Sequence, residues 1–164
     1  MIIYHPAYDV YHCSYRILNI LYSVDKNEIL KEHLKFIDFY YVYPHLLKKI
    51  QSLPRPLNFH KGEIDRIDDP FEVTPNPKSL YFDLGKTQDS ALSSLGYKSL
   101  IIEEGKKVKL NSSLLPDVLI NKFEVDEFSK TEIFDILITV FPKVNMNGAN
   151  GFKARSGLTE FRYG

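Results

Sequence analysis

The amino-acid sequence predicts an α+β fold that is mainly helical, and three patterns support this class. Apolar residues near the N-terminus recur at helical spacing, a later helical stretch leads into a short β-hairpin, and another amphipathic pattern precedes the C-terminal tail. The 164 residues are within the usual size of one domain, and 21 basic side chains balance 21 acidic ones. Balanced charge argues against a protein that coats nucleic acid nonspecifically.

Asp9 is the predicted N-cap of the first helix, which we expect to span about residues 10–24. Apolar residues follow at spacings of three or four positions, which places them on one helical face: Val10, Cys13, Ile17, Leu21 and Val24. Cys13 therefore belongs to the packed face, whereas the adjacent His12 projects about 100° away from it.

Two further helices are predicted, a short one over residues 26–34 with Asp25 as its cap and a longer one over residues 35–53. Pro44 interrupts the longer pattern, because proline lacks the amide hydrogen and clashes with the preceding turn. We expect a kink or a new helix start there. The five prolines from Pro54 to Pro77 predict a connecting segment with little regular structure, and such segments include many functional loops.

The stretch KTQDSALSSLGYKSLIIEEGKKVKLN contains the clearest pattern. It predicts a helix over about residues 87–95 that stops at Gly96, then strands at residues 98–102 and 108–111 joined by the turn EEGKK. A short helix followed by a two-stranded hairpin is the second half of a winged helix-turn-helix. The sequence therefore predicts a winged-helix-like domain with a small hairpin wing.

A last helix is predicted over residues 125–141, with Pro142 as its stop. We expect two units, a winged-helix-like domain at residues 1–142 and a glycine-rich basic C-terminal tail at residues 143–164. The tail has four basic residues against one acidic residue. Its apolar residues are too many for a solvated terminus, so we expect it to dock on its own domain or on a partner: Phe152, Leu158, Phe161 and Tyr163.

The neighbours His12 and Cys13 raise the question of nucleophilic catalysis, and helix geometry argues against it. A nucleophilic cysteine needs a base that faces it, and a buried structural cysteine explains the position without chemistry. The five histidines offer no helical zinc pair, and the phosphate-binding pattern GxxxxGK[ST] is missing. We predict no enzyme activity, catalytic residue, metal site or cofactor. A cysteine-dependent enzyme is the alternative, and Cys13→Ala should abolish its activity.

The chain has one cysteine, which cannot form an internal disulfide and predicts a reducing compartment. The N-terminal MIIYHPAYD lacks the basic and apolar regions of a secretion signal, and no window has 18 uninterrupted apolar residues. We therefore expect a cytoplasmic protein without a membrane partner.

Two groups of residues are the candidates for partner contact. Basic side chains of the tail could bind an acidic protein surface or phosphate: Lys153, Arg155 and Arg162. Tyrosines near the N-terminus could form an aromatic contact surface, or could equally belong to the core: Tyr4, Tyr8 and Tyr11. The predicted wing is less suited to reading DNA, because Glu103 and Glu104 accompany its lysines and the preceding helix carries Asp89 but no arginine.

Four blocks, YHPAYDVYHCSYRILNIL, IDFYYVYPHLLKKI, KTQDSALSSLGYKSLI and GFKARSGLTEFRYG, together resemble the small middle components of bacterial ABC three-component systems. These proteins are related to the third, accessory subunit of Lamassu anti-phage defence. The resemblance spans nearly the whole chain in the right order. In the family's tail pattern G…GLKxRxGL, Phe152 replaces the first leucine, whereas the other positions match: Lys153, Arg155, Gly157 and Leu158.

The resemblance implies a winged-helix-like accessory protein without catalytic residues, which binds an SMC- or Rad50-like ABC ATPase and helps hold an effector, often a nuclease, inactive until foreign DNA is sensed. On this basis we predict a non-enzymatic assembly subunit of a DNA-sensing ATPase–nuclease complex, with contact to the DNA backbone left open. The alternative is a free-standing winged-helix transcription regulator, which should bind duplex DNA on its own and lose affinity steeply as salt rises.

Overall fold

The structure is a computed structural model that describes residues 6–159. It is mainly helical with one small antiparallel sheet, which confirms the predicted fold class. The regular elements are α1 (Val10–Ser23), β1 (Glu28–Leu30), α2 (Lys31–Val42), α3 (Lys61–Asp65), α4 (Pro77–Tyr97), β2 (Ile101–Glu104), β3 (Lys107–Leu110), α5 (Asp117–Val125), α6 (Glu132–Asp135) and α7 (Phe152–Ser156). Short 3-10 turns connect several of them, and one π-helical turn, Ile136–Val140, continues α6.

Helix α1 begins where its N-cap predicts. The Asp9 carboxylate accepts a hydrogen bond from the His12 backbone N–H at 3.3 Å. On the predicted apolar face, Cys13, Ile17 and Leu21 are almost completely enclosed and Val24 is buried, whereas Val10 is partly buried. Local capping and periodicity are therefore sufficient to specify this element.

The helix predicted over residues 26–34 is wrong. Lys26 and Asn27 have positive φ angles of 58° and 54°, and the next three residues form β1, which pairs antiparallel with β3. The Asn27 amide also donates hydrogen bonds to two carbonyl groups at the end of α1. This distant strand pairing outweighs the local helical preference of the sequence. Helix α2 then ends at Val42, and the break expected at Pro44 is confirmed, since a 3-10 turn, Pro44–Lys49, follows.

Helix α4 is longer than predicted and leads into the hairpin. Asn76 caps it by accepting a hydrogen bond from the Lys78 N–H, and Gly96 lies inside its last turn instead of ending it. The chain then reverses at Ser99, where φ is 61°. Strands β2 and β3 form the predicted hairpin, and the sheet order is β1–β3–β2. The more specific winged-helix interpretation stays a prediction.

The single helix predicted over residues 125–141 is wrong as well. The Asp126 carboxylate accepts hydrogen bonds from the Ser129 backbone and hydroxyl, which stabilises a turn, and Thr131 then caps the new helix α6. Helix α5, which begins directly after Pro116, was not predicted. Side-chain caps inside an apolar periodic stretch therefore divide it into separate elements.

The described part of the predicted tail packs on the core. Phe152 is fully buried, and its ring centroid lies 5.1 Å from that of Phe36, 5.8 Å from Tyr40 and 4.8 Å from Phe141. Val144, Met146 and Leu158 are buried in the same hydrophobic core as the helices. The division into units at residues 1–142 and 143–164 stays a prediction.

Candidate partner interface

Two of the three candidate cations make contacts within the chain. Lys153 forms an ion pair with Glu32 on α2 and donates a hydrogen bond to the Asn147 side chain at 3.2 Å. Arg155 donates from Nε to the Asn150 carbonyl at 2.8 Å and from Nη1 to the carbonyl and hydroxyl oxygens of Ser52, at 2.9 and 2.8 Å. Both side chains therefore help to hold the tail on the rest of the molecule. Arg162 lies outside the described residues.

The candidate tyrosines are in different settings. Tyr11 is 80% exposed on the outer face of α1. Tyr8 is near the start of the described chain, and its hydroxyl oxygen lies 3.4 Å from that of Tyr43. Tyr4 is outside the described residues, so the structure locates Tyr8 and Tyr11 but not the third member of the predicted surface.

Tyr8 lines an open hollow of about 720 Å³. One wall consists of residues from the 3-10 turn Pro6–Tyr8, the end of α2, the segment directly after α2 and the start of α4: Tyr8, Val42, Tyr43, Pro44, His45 and Leu80. The other wall is the segment 68–75, which we call loop 68–75. Burial raises the pKa of the Tyr43 hydroxyl, which keeps it neutral at physiological pH. Loop 68–75 contributes three carboxylates to its wall: Asp68, Asp69 and Glu72. The hollow is therefore apolar and aromatic on one side and acidic on the other.

Loop 68–75 is held to the molecule at both ends. Lys48 donates a hydrogen bond to the Ile67 carbonyl at 2.5 Å and forms an ion pair with Asp69 at 2.8 Å. Nε2 of His45 lies 2.7 Å from the Thr74 hydroxyl. The hydrogen bond and charge of Lys48 lower the pKa of Asp69, so this carboxylate is ionised across the neutral range.

Between these attachments the loop exposes two large apolar side chains. Phe71 is completely exposed and Val73 is 94% exposed. Both border a second hollow of about 510 Å³, which shares His45 and Asp69 with the first. Neither residue is a candidate on the sequence alone, because a proline-rich stretch has no periodicity from which exposure can be read. The sequence did predict, from the five prolines between Pro54 and Pro77, that this segment has little regular structure.

Cys13 and His12 contact different partners. The Cys13 sulfur is buried and lies 3.8 Å from Oδ2 of Asp38, whereas Nδ1 of His12 lies 2.5 Å from Oδ2 of Asp9. Burial, and next the charge of Asp38, raise the pKa of the Cys13 thiol far above its usual range. A protonated, enclosed thiol is a poor nucleophile.

Within residues 6–159, no group of three or more histidine, cysteine, aspartate or glutamate side chains is arranged to hold a metal ion. No helix in that range combines the length and apolar character needed to span a bilayer.

The comparison with protein families supplies the deciding observation. The family model described as "ABC-three component (ABC-3C) system Middle Component 5" matches residues 2–164. The chain belongs to this family. Neither the comparison with curated proteins nor that with solved structures found a match. Membership confirms the resemblance carried by the four sequence blocks and means that this middle component belongs to a system with partner subunits.

Proposed function

We propose that this middle component is a non-enzymatic accessory subunit that binds the ABC ATPase of its three-component system and links it to an effector. The family match over residues 2–164 is the observation that carries this proposal. In more detail, we propose that the ATPase is SMC- or Rad50-like and that the effector is a nuclease. The complex would be a cytoplasmic, Lamassu-related anti-phage system activated by foreign DNA.

A subunit without chemistry of its own can regulate only through differential binding. It shifts the complex toward one conformation by as much as its affinity for that conformation exceeds its affinity for the other. A stable accessory interface of this kind buries about 1,200–2,000 Å² in total. The hollow beside Tyr8 and the exposed side chains of loop 68–75 offer the apolar and aromatic surface that such an interface buries.

Contacts by the remaining candidates are part of the same proposal. Tyr4, Tyr8 and Tyr11 would contribute aromatic surface to a partner subunit. Lys153, Arg155 and Arg162 would lie near an acidic partner surface or the DNA backbone, although the first two also contact Glu32 and Ser52 of this chain. We retain residues 1–142 as a winged-helix-like domain and residues 143–164 as its basic tail.

Co-expression with the ATPase and effector of the same system, followed by affinity purification at moderate salt, tests the proposal. We expect all three subunits to co-purify, and an ATPase from an unrelated system serves as the control. Failure of this chain to retain its own ATPase would contradict the accessory role.

The second candidate is a free-standing DNA-binding regulator, favoured by the helix α4 that leads into a lysine-bearing hairpin. The ion pairs Lys31–Glu103, at 3.5 Å, and Lys107–Glu28, at 3.9 Å, weaken it, because carboxylates beside the wing repel phosphate. This function requires salt-sensitive binding of duplex DNA by the isolated chain, so a duplex titration at two salt concentrations discriminates between the two candidates.

A further inference from the structure

We propose that loop 68–75 is the element that docks this subunit onto its ATPase, by inserting Phe71 and Val73 into an apolar pocket rimmed by lysine and arginine. This docking role rests on the proposed function, which does not say which surface of this chain binds the ATPase or what chemistry the ATPase presents there.

Exposure of the two apolar side chains is the first observation. Phe71 has no shielding from the rest of the described chain and Val73 has almost none. Single exposed apolar residues are common, but these two are two positions apart and border the same hollow. Large aromatic side chains at the centre of an interface commonly supply much of its binding free energy.

The attachments of the loop are the second observation. Lys48 holds residues Ile67 and Asp69, and His45 contacts Thr74, so the apolar pair lies between fixed points. Asn76 then caps the long helix α4 directly after the loop. A loop ordered before binding loses less conformational entropy when it binds, which favours affinity.

Charge is the third observation, and it indicates the chemistry of the partner surface. Residues 63–72 contain one basic and five acidic side chains, Arg66 against Glu63, Asp65, Asp68, Asp69 and Glu72. Lys61 and Lys48 pair with Asp65 and Asp69, and Lys49 lines the second hollow, so the local negative charge depends on the carboxylates beside Phe71. Within residues 6–159, no ion pair involves Asp68 or Glu72, which lie on either side of Phe71. Asp68 and Glu72 thus give the exposed part of the loop a local negative charge, which repels nucleic-acid phosphate and fits a basic protein surface.

The test measures the affinity of the full chain for the purified ATPase subunit of the same system. We expect the double variant Phe71→Ala/Val73→Ala to bind about thirtyfold more weakly than the wild type. Tyr97→Ala is the matched control. This residue is 92% exposed at the far end of α4, about 30 Å from Pro77, and its loss should leave affinity unchanged. Melting temperatures should be equal in all three proteins, because the altered side chains are exposed.

A second variant tests the charge. Asp68→Lys/Glu72→Lys should slow association and reduce the dependence of affinity on salt, and unchanged salt dependence would overturn the basic rim. Wild-type affinity in the Phe71→Ala/Val73→Ala variant would overturn the docking role of the loop while the accessory function stands. A wild-type chain that binds no ATPase overturns both. A dimer of the isolated chain, or duplex DNA binding, that disappears in the Phe71 variant would assign the loop to that partner and overturn the inference.

Discussion

Arg16 of α1 and Asp38 of α2 form a buried ion pair, with Nε 2.6 Å from Oδ1. Gln88 of α4 donates a hydrogen bond to Oδ2 of Asp38 at 2.9 Å, and Arg16 also donates to the Ala7 carbonyl. The pair therefore joins three helices and the segment before α1. Such a group helps to specify one arrangement of the helices but adds little net stability, because the cost of desolvation offsets much of the attraction between the charges.

Removing one partner should be costly. Arg16→Ala leaves Asp38 as an uncompensated charge inside the core, so we expect the free energy of unfolding to fall by about 3–5 kcal/mol. Urea denaturation followed by circular dichroism measures this change. The control is Lys61→Ala, which removes an exposed pair with Asp65 and should cost less than about 1 kcal/mol. Similar losses in the two variants would contradict the importance of the buried pair.

His33 should make stability depend on pH. Its Nε2–H donates to the Val144 carbonyl at 2.8 Å, and its buried Nδ1 has no hydrogen-bond partner among residues 6–159. Burial lowers the pKa of His33, so the unfolded chain binds a proton more readily than the folded one. Its contribution is present above the unfolded pKa of about 6.5 and is lost as pH falls through the lower folded value. We expect stability to decrease from pH 7 to pH 5.

Denaturation of His33→Gln across that range isolates this contribution. The slope of stability against pH should be shallower in the variant than in the wild type. Burial also lowers the pKa of His45, so His45→Gln is the comparison that separates the two histidines. An unchanged slope in His33→Gln would rule out His33 as a source of the pH dependence.

Arg155 should act as an anchor for the tail. Arg155→Ala removes its hydrogen bonds to Asn150 and Ser52. We expect faster hydrogen–deuterium exchange at the Phe152 amide, which donates to the Asn145 carbonyl at 2.8 Å. Arg66→Ala, which removes an exposed arginine paired with Glu132, should leave that exchange unchanged. Unaltered exchange together with weaker ATPase binding would make Arg155 a partner contact only.

Two glycines should respond oppositely to alanine. A Cβ at Gly151 would lie 2.6 Å from the Asn147 carbonyl carbon and overlap the adjacent oxygen, so Gly151→Ala should cost about 1–3 kcal/mol. At Gly85, inside α4, no heavy atom of the described residues lies within 4 Å of the Cβ position, and alanine there should stabilise by about 0.5–1 kcal/mol. Chemical denaturation compares both with the wild type, and a neutral Gly151→Ala would show that the 147–151 turn relaxes easily.

Local signals made part of this fold predictable. The Asp9 cap, the break at Pro44 and the hairpin turn at Gly105 each depend on residues within a few positions of one another. Strand β1 was missed because its partner, β3, lies about eighty residues further along the chain. Helical propensity cannot register a pairing of that kind.

The candidate site likewise has features that the sequence predicts and features that depend on contacts between distant residues. Arg155 was identified from its charge, but its contact with Ser52, 103 positions away, could not be read from the sequence. Burial of Cys13 followed directly from helical spacing. The exposure of Phe71 depends on how Lys48 and His45 hold the loop, which no local pattern encodes.

The position of Phe152 has a consequence for biosynthesis. Its ring packs between aromatic residues of α2 and the segment after α6. During synthesis this part of the core stays incomplete until residue 152 has left the ribosome. Truncated chains that lack Phe152 would expose the apolar surface that its ring normally covers, and they would be substrates for chaperones and proteases.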